Sequence, residues 1–512
     1  MNIKNTFYKL SMISAAVLIS SCGDDYLETS PTHVLEEEAV TETMQKDPSQ
    51  VQAYVTGAYL NLYCGGDYWV SHDDFGLPAI KLATDLLCDD IAYNRDVHFF
   101  CYDYQLDNRM GNYRRTGSTW NQLYQVVDNA NTIITMLKPA EGEAVADATA
   151  QTMLGEAYSL RAYAYFWLVN LWQHPYSAAK DKPGVPLKTD TEYIQKRVNV
   201  GEIYEQILAD IDAGYNYLEG KGFHNSKIGL SEYAAAAIYA NILLFVGDNT
   251  NAAKYAEIAA KSAPLNSEAE MLSGFNSLSM SEVIWGYNVN SETTGYYASF
   301  FSHVDSYMIG YGGKVGVRKL VASYLYDQIA DEDIRKKWFG YNEEYNLHNI
   351  NYGYEENLGL TKYISNKFRD ISMTNPPESP FTSALIYFRS GEMYFVAAEA
   401  NYLAGNEAKA REMLNSVMAT RIPGYNCSLS GSALYDEICI QKRIETFEEG
   451  NRYLDVKRRG ETIDRSKSVN HAVDLNNFDA VTYSAHDYRM IYHIPNSEME
   501  NNPEITEDDD ND

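Results

Sequence analysis

The chain has 512 residues, of which 45% are hydrophobic and 22% charged, as expected for a globular protein with more than one structural region. Its formal net charge of −30 argues against nucleic acid as a partner, because a polyanion would be repelled by a surface of that sign. The 43 tyrosines outnumber the 17 phenylalanines. A tyrosine ring has an apolar face and a polar tip, which suits wet binding surfaces as well as cores.

The N-terminus has the pattern of a bacterial export signal. Lys4 and Lys9 form a short basic region. It precedes an apolar run, residues 10–19, that is too short to span a bilayer as a mature helix. The run leads into Leu-Ile-Ser-Ser-Cys, which is typical of a lipoprotein signal that is cut before the cysteine. We predict a signal peptide over residues 1–21, lipidation of Cys22 and a lipidated tether over residues 22–50. An ordinary secretory signal with a chance cysteine is the alternative.

The remaining cysteines do not have metal-site spacing. They are Cys64, Cys88, Cys101, Cys427 and Cys439, and no two of them form a Cys-x-x-Cys pair. We expect buried thiols and no metal site, with one disulfide as an open alternative in an exported protein.

Helical periodicity dominates the next part of the chain, which we take as an N-terminal helical region over residues 51–263. The predicted helices cover residues 51–63, 120–134, 154–172, 201–218, 231–246 and 252–263. Two irregular stretches interrupt them, residues 64–72 and 89–117, and both mix aromatic and amide side chains as binding loops do.

Helical periodicity is mostly absent between residues 264 and 380. We therefore predict a loop-rich subdomain that packs on the helical scaffold. Residues 282–287 read as a short strand. A glycine-rich run over residues 310–316 is not a phosphate loop, because Lys314 is followed by valine and not by serine or threonine. A second stretch rich in tyrosine and asparagine covers residues 341–363.

The C-terminal helical region covers residues 381–505, followed by an acidic tail over residues 506–512 that we expect to be disordered. Its first helix is predicted to end at Gly405, and Asn406 to cap the next. The sequence Ala-Asn-x-Leu precedes both Gly247 and Gly405, and this repeat predicts tandem helical hairpins of the tetratricopeptide kind.

A charged pattern marks residues 443–458. It consists of Arg443, Glu445, Glu449, Arg452, Asp455 and Arg458. Their spacing allows opposite charges to pair along one surface. We favour an ion-pair network that docks the last helices; the alternative is that the carboxylates form an acid/base pair.

This pattern resembles the C-terminal signature of the RagB/SusD-like outer-membrane nutrient-binding lipoproteins, although the family usually has an apolar residue where this chain has Glu448. Leu-Arg-Ala-Tyr at residues 160–163 and the closing segment with Pro495, Glu498 and Pro503 also resemble the family, in the right order. The resemblance implies a mostly α fold, in which tetratricopeptide-like hairpins form a scaffold and an irregular subdomain contains a few short strands.

The resemblance further implies a binding protein without cofactor or catalysis. Family members are anchored by lipid in the outer membrane, facing the cell exterior. They capture oligosaccharides, or peptides in some members, and deliver them to a SusC-like TonB-dependent transporter. A pyranose ring suits such a site, because it offers an apolar face to an aromatic ring and hydroxyls to amides and charged groups.

The ligand-binding loops of the family vary, so we choose candidate residues from composition alone. They are Tyr68, Trp69, Tyr93, Asn94, Arg95, Tyr102, Tyr296, Tyr297 and Tyr311. Trp120, Trp167 and Trp285 lie in regular elements and are assigned to the core.

Two other classes of protein stay open. A helical glycoside hydrolase needs two carboxylates flanking a cleft, for which Asp73–Asp74 and Asp89–Asp90 are candidates. An interaction scaffold would use the tyrosine-rich loops to contact protein. The sequence contains no Ser-His-Asp or His-Glu-x-x-His pattern that favours another hydrolase.

Overall fold

The computed structural model describes residues 47–64, 71–139, 143–190, 194–224, 227–290, 293–295, 297–371 and 381–511. Within these ranges the protein contains eighteen α-helices and four small two-stranded sheets, which confirms the predicted fold class. The predicted signal peptide and Cys22 lie outside them. In the described part of the chain, each helix is too short or too polar to cross a bilayer.

The helices of the first half are α1 Gln52–Cys64, α2 Leu77–Leu86, α3 Cys101–Tyr104, α4 Arg114–Leu137, α5 Ala148–Trp172, α6 Tyr176–Ala179, α7 Val200–Leu218, α8 Glu232–Val246 and α9 Asn249–Ala260. Those of the second half are α10 Glu268–Met271, α11 Phe300–Val304, α12 Ser323–Asp327, α13 Gly353–Asn357, α14 Ser390–Leu403, α15 Glu407–Met418, α16 Gly431–Glu445, α17 Asn451–Arg459 and α18 Asn496–Asn501. The strands are β1 Ile91–Tyr93, β2 Pro183–Pro186, β3 Arg197–Asn199, β4 Val283–Tyr287, β5 Lys319–Val321, β6 Leu385–Arg389, β7 Thr462–Asp464 and β8 Thr482–Ser484. They pair antiparallel as β1–β5, β2–β3, β4–β6 and β7–β8.

The long helices pack as hairpins. Helix α5 lies between α4 and α7, and its approach to α7 is so close that a Cβ at Gly214 would lie 2.3 Å from Ser159 Oγ. The hairpin α8–α9 packs through α9 on the hairpin α14–α15. Gly247 and Gly405 take left-handed backbone angles at corresponding helix ends, with φ of 83° and 81°. Asn401 donates from α14 to Glu257 on α9 at 3.1 Å, so the repeated asparagine joins one hairpin to the next.

The loop-rich region is tied to this scaffold by two sheets. Strand β4 pairs with β6, with Val283 opposite Arg389. The loop-rich segment between these strands therefore begins and ends at the same sheet. Strand β1 pairs with β5, with Ile91 opposite Val321. The second pairing brings the irregular stretch after Asp89 against the glycine-rich run, although the two are far apart in sequence.

The charged signature lies in the interior and not along an exposed surface. Helix α16 ends at Glu445, and a turn with positive φ at Glu448 and Gly450 separates it from α17. Glu445 is fully buried and pairs with Arg335, Arg389 and Arg421.

The rest of the signature pairs with segments from distant parts of the chain. Glu449 pairs with Arg389 and Lys367. Arg443 and Arg452 pair with Asp89 and Asp90 in the loop before β1. Arg458 and Asp455 pair with each other, and Arg458 also pairs with Glu399 on α14. The network therefore joins the last helices to both halves of the fold.

Glu448 stands inside this network where the family usually has an apolar residue. It is 2% exposed, and one carboxyl oxygen shares a hydrogen bond of 3.1 Å with Ser365 Oγ. Its other oxygen has no hydrogen-bond partner within the described residues. Burial raises its pKa from 4.5 to about 8. The side chain is therefore uncharged at neutral pH, as an apolar residue is.

Glu448→Gln is expected to stabilise the protein increasingly as the pH rises from about 5 to 8. Over this interval the folded carboxyl keeps its proton while the unfolded one has lost it, so wild-type stability falls with pH through this group. The fall is at most about 1.4 kcal/mol per pH unit, and glutamine removes it. Urea unfolding of both proteins at pH 5, 6.5 and 8 measures the difference. A difference in unfolding free energy that stays constant with pH would contradict this pKa.

The described part of the acidic tail, residues 506–511, is docked, contrary to the disorder that we expected of it. Asn511 is 6% exposed and donates to the carbonyl oxygens of Trp172 at 2.6 Å and Tyr492 at 2.8 Å. His493 Nδ1 lies 2.6 Å from an Asp510 carboxyl oxygen. We expected disorder because the tail is acidic. Composition alone does not show that backbone carbonyl oxygens are available to Asn511.

Candidate ligand-binding site

Five aromatic side chains from four separate loops meet at one surface, and we call them the aromatic shelf. They are His72, His98, Phe99, Tyr297 and Tyr311. The rings of His72 and Tyr297 stack with centroids 5.4 Å apart and an interplanar angle of 18°. Tyr311 meets Tyr297 at 5.6 Å and Phe99 at 5.8 Å, in both cases edge to face. Tyr297 is 37% exposed, and His72 and His98 are exposed as well, so the shelf offers flat ring surface to solvent.

Tyr311 is the buried centre of the shelf, at 7% exposure. Its hydroxyl lies 2.6 Å from His72 Nδ1, and its ring stacks on His303 at 4.6 Å. Burial and then Lys319 hold the pKa of His303 well below 6.5, so this imidazole is neutral. His303 Nε2 lies 2.8 Å from the carbonyl oxygen of His72, which fixes its tautomer with the proton on that nitrogen. The two histidines and Tyr311 therefore hold each other in place.

The glycine-rich run positions Tyr311 by close backbone packing. Gly312 N donates to Ser302 O in α11 at 2.8 Å. A Cβ at Gly313 would lie 1.9 Å from Met308 O, a distance that no side chain tolerates. These glycines let residues 310–316 fold back on α11, and the β1–β5 pairing then brings this turn against the loop that carries His98 and Phe99.

Two members of the shelf, His98 and Tyr311, are uncharged near neutral pH. Burial and then Lys319 lower the pKa of His98, and burial and then Tyr297 raise the pKa of Tyr311. Neither group carries charge at pH 7. Exposed aromatic rings of this kind suit a ligand with an apolar face.

The described candidate residues that were chosen from the sequence fall into three groups. Tyr297 and Tyr311 lie together in the shelf. Arg95 stacks its guanidinium on the Tyr354 ring at 4.3 Å, in the loop before His98, and Tyr102 is 51% exposed on α3. The remaining described candidates, Tyr93 and Asn94, are buried. Tyr68, Trp69 and Tyr296 lie outside the described residues and stay predictions.

Tyr93 and Asn94 offer no surface to a ligand, at 1% and 0% exposure. The Asn94 amide donates to Gly316 O at 3.0 Å and to Glu355 Oε1 at 2.6 Å, while its oxygen accepts from Arg318 N at 2.8 Å. Asn94 thus joins the loop that follows β1 to the glycine-rich run and to α13. Its role is structural, because all its hydrogen bonds go to protein groups, and we drop both residues from the proposed site.

Composition also missed three members of the shelf. His72, His98 and Phe99 lie in the two irregular stretches that we identified as binding loops, but we did not choose them. The only signal in the sequence was their position beside tyrosines in loops. To choose them one must know that β1 pairs with β5, because this pairing brings their loops together. Sequence periodicity cannot reveal a pairing between strands of only three residues.

The carboxylates that a hydrolase would need are engaged in ion pairs. Asp73 pairs with Arg115 at 2.8 Å, and both Asp73 and Asp74 pair with Arg114. Asp89 pairs with Arg452 at 2.9 Å, and Asp90 pairs with Arg443. All four aspartates are less than 9% exposed. They fix α4 and α17 to the loops of the first half.

The electrostatics of Asp89 support the same structural role, whereas burial raises the pKa of Asp90 above the ordinary 3.8. Burial opposes ionisation of Asp89, but Arg443 and Arg452 hold its pKa below the ordinary 3.8. Asp89 is therefore a permanent anion, and it cannot act as a general acid near neutral pH. Within the described residues, no group of three His, Cys, Asp or Glu side chains has the arrangement of a metal site.

Comparison with known proteins agrees with the observed fold. A family model described as "Starch-binding associating with outer membrane" matches residues 76–244, and the model of the SusD family matches residues 281–509. A SusD-like protein of Formosa agariphila is 22% identical over 98% of each chain. The crystal structure of a SusD-like carbohydrate binding protein from Bacteroides vulgatus has a TM-score of 0.75 at 20% identity, covering 90% of this chain and 97% of that one.

A surface glycan-binding protein of Bacteroides thetaiotaomicron, solved in complex with laminarihexaose, is also similar. Its TM-score is 0.64 at 17% identity, and the match covers 90% of this chain and 99% of the other. The two family models together match well over half of the chain, and the relatives named here match over nearly their full lengths. The chain therefore belongs to the SusD/RagB-like family.

Proposed function

We propose that this protein captures oligosaccharides on the aromatic shelf at the outer surface of the cell. The shelf carries the proposal: rings from four loops meet at one surface, where Tyr297 is 37% exposed. The apolar C–H face of a pyranose stacks on such rings, and its hydroxyls bond to polar side chains at the rim. Tyr68, Trp69 and Tyr296, which lie near His72 and Tyr297 in sequence, stay candidate ligand residues in this proposal.

The comparisons support a neutral glycan over a peptide. One structural relative was solved with laminarihexaose, and another is named as a carbohydrate binding protein. Burial and then Lys319 lower the pKa of His98, and burial and then Tyr297 raise the pKa of Tyr311, so these two residues offer no ion pair to a peptide terminus or a charged side chain at pH 7.

In this proposal the protein is anchored in the outer membrane by lipid on Cys22 and does not cleave its ligand. The family description, with its association to the outer membrane, supports the location. The engagement of Asp73, Asp74, Asp89 and Asp90 in ion pairs supports the absence of catalysis by those residues. The bound chain would pass to a SusC-like TonB-dependent transporter, and no cofactor is required.

The test is a binding screen of the lipid-free chain, residues 23–512. Native gels that contain starch, laminarin, xylan, mannan or pectin would be run with a protein of similar size as the control. We expect retardation by at least one polysaccharide and no release of reducing sugar from it. Binding of a tryptic peptide mixture without any polysaccharide would favour the peptide alternative, and turnover of the retained polysaccharide would favour the hydrolase.

A further inference from the structure

A second open groove lies in the loop-rich region, apart from the aromatic shelf. Its volume is about 690 Å³, within the range of about 300–1,000 Å³ that small-molecule sites occupy. It is lined by Gly340, Tyr341, Ile350, Asn351, Tyr352, Gly353, Glu356, Thr361 and Lys362. The groove therefore coincides with the second stretch rich in tyrosine and asparagine.

The floor of the groove is rigid. Tyr341 N donates to Thr361 O at 2.9 Å, and Gly340 N donates to Ile364 O at 2.9 Å, so two chain segments form a short ladder. Tyr352 closes one wall: its hydroxyl donates to Ser306 O at 2.7 Å and Arg318 stacks on its ring at 4.2 Å. A preformed floor of this kind loses little conformational entropy when a ligand binds.

The open side of the groove has the chemistry of a sugar site. Tyr341 is 41% exposed and meets the Tyr352 ring at 4.7 Å, which leaves one ring surface towards solvent. Asn351, Glu356 and Lys362 are exposed on its rim. Glu356 and Lys362 are the two charged side chains of the lining, and their charges cancel. The lining therefore has no net charge, although the chain carries −30. An aromatic platform with a neutral polar rim favours a polyhydroxylated, uncharged ligand.

Helix α13 connects this groove to the loop of the aromatic shelf. Gly353 and Glu356 on this helix line the groove, whereas Tyr354 stacks on Arg95, and the Tyr354 hydroxyl donates to Asn94 O at 3.3 Å. Glu355, fully buried, pairs with Arg318 at 2.6 Å and accepts from Asn94. Helix α13 therefore contacts both the groove and the loop that carries His98 and Phe99.

We propose that this groove is a second carbohydrate subsite, which binds the same glycan chain as the aromatic shelf. The inference depends on the proposed function, since it extends that function from short oligosaccharides to long ones. A chain that reaches across α13 engages both surfaces at once, and the second contact is then intramolecular. Linked contacts of this type raise apparent affinity by about 10²–10⁴ without any new interaction. Short oligosaccharides, which reach only one surface, do not gain this increase.

The experiment compares Tyr341→Ala with wild type on glycan chains of defined length. Size ladders of two to eight sugars, made by partial hydrolysis of laminarin, starch, xylan and mannan, are titrated by calorimetry into the full lipid-free chain. Tyr54→Ala is the matched control, because Tyr54 is 37% exposed on α1 and is neither a lining residue of the groove nor a member of the shelf. Circular dichroism melting curves check that the variants fold, and Lys362→Ala, on the exposed rim, provides a second variant of the groove.

We expect wild-type affinity to rise at least about tenfold from the shortest to the longest chains, and Tyr341→Ala to remove that rise. Binding of the shortest chains by Tyr341→Ala should stay within about twofold of wild type, and Tyr54→Ala should behave as wild type at all lengths. Long chains should also protect the Lys362 amine from acylation by an N-hydroxysuccinimide ester.

Two results would overturn the inference, and they are distinguishable. Unchanged binding of the longest chains by both groove variants, together with loss of binding in Tyr297→Ala, would remove the second subsite and leave the proposed function standing. Failure of the wild-type chain to bind any of the ladders would remove both.

Discussion

Glu445→Ala should lower the free energy of unfolding by about 3–5 kcal/mol, because it removes the shared partner of three buried guanidinium groups. Glu445 has no exposed surface, and its carboxylate lies 3.1 Å from Arg335 and 2.8 Å from Arg421, with Arg389 also in contact. Arg335, Arg389 and Arg421 are each no more than 1% exposed. Without Glu445, positive charge that water cannot reach loses a compensating partner.

The matched control is Glu412→Ala. Glu412 forms an ion pair with Lys409 at 2.6 Å on α15, but its side chain is 59% exposed. Exposed pairs of this kind contribute between about 0 and 1 kcal/mol. Urea unfolding followed by circular dichroism measures both variants. Equal losses in the two would show that burial of the network does not contribute to stability.

The position of Glu445 explains why its removal should make unfolding less cooperative. Arg335 comes from the loop-rich region, Arg389 from the end of β6 and Arg421 from the end of the α15 hairpin, while Glu445 closes α16. The carboxylate therefore joins segments of both the loop-rich and the C-terminal regions. We expect a single unfolding transition in wild type and a broader one in Glu445→Ala.

The regular scaffold was predictable because its signals are local. Apolar spacing predicted a helix over residues 154–172, and α5 covers Ala148–Trp172. Gly247 and Gly405 were predicted to end helices, and both have left-handed angles. Trp120, Trp167 and Trp285 were assigned to the core, and each is at most 2% exposed. Such features depend only on neighbours within a few residues.

The contacts that build the site were not predictable, since they join distant segments. Strands β1 and β5 have three residues each, too few for an alternating pattern, and Ile91 lies opposite Val321. Composition identified the loops that carry the aromatic shelf but could not separate buried Tyr93 from exposed Tyr297. The charged signature was expected along a surface; the structure buries it, because its partners lie on segments that the local pattern does not include.

Tyr297→Ala should weaken binding of the retained glycan by about 10- to 100-fold while leaving the fold intact. The ring stacks on His72 and meets Tyr311, so its exposed face is held in place before a ligand arrives. Truncation of a fixed aromatic anchor of this type costs about 2 kcal/mol or more. Because Tyr297 is already 37% exposed, its removal should change the free energy of unfolding by less than about 1 kcal/mol.

Tyr54→Ala again provides the matched control, with the same 37% exposure on a helix of the scaffold. Its affinity should equal that of wild type within about twofold. Tyr311→Phe separates ring from hydroxyl: it keeps the stacking on His303 at 4.6 Å but loses the 2.6 Å hydrogen bond to His72. We expect an intermediate loss for Tyr311→Phe, because His72 then no longer fixes the neighbouring Tyr297 ring. Calorimetry on the three variants with one glycan ranks them, and equal affinity of Tyr297→Ala and Tyr54→Ala would place the binding surface elsewhere on the protein.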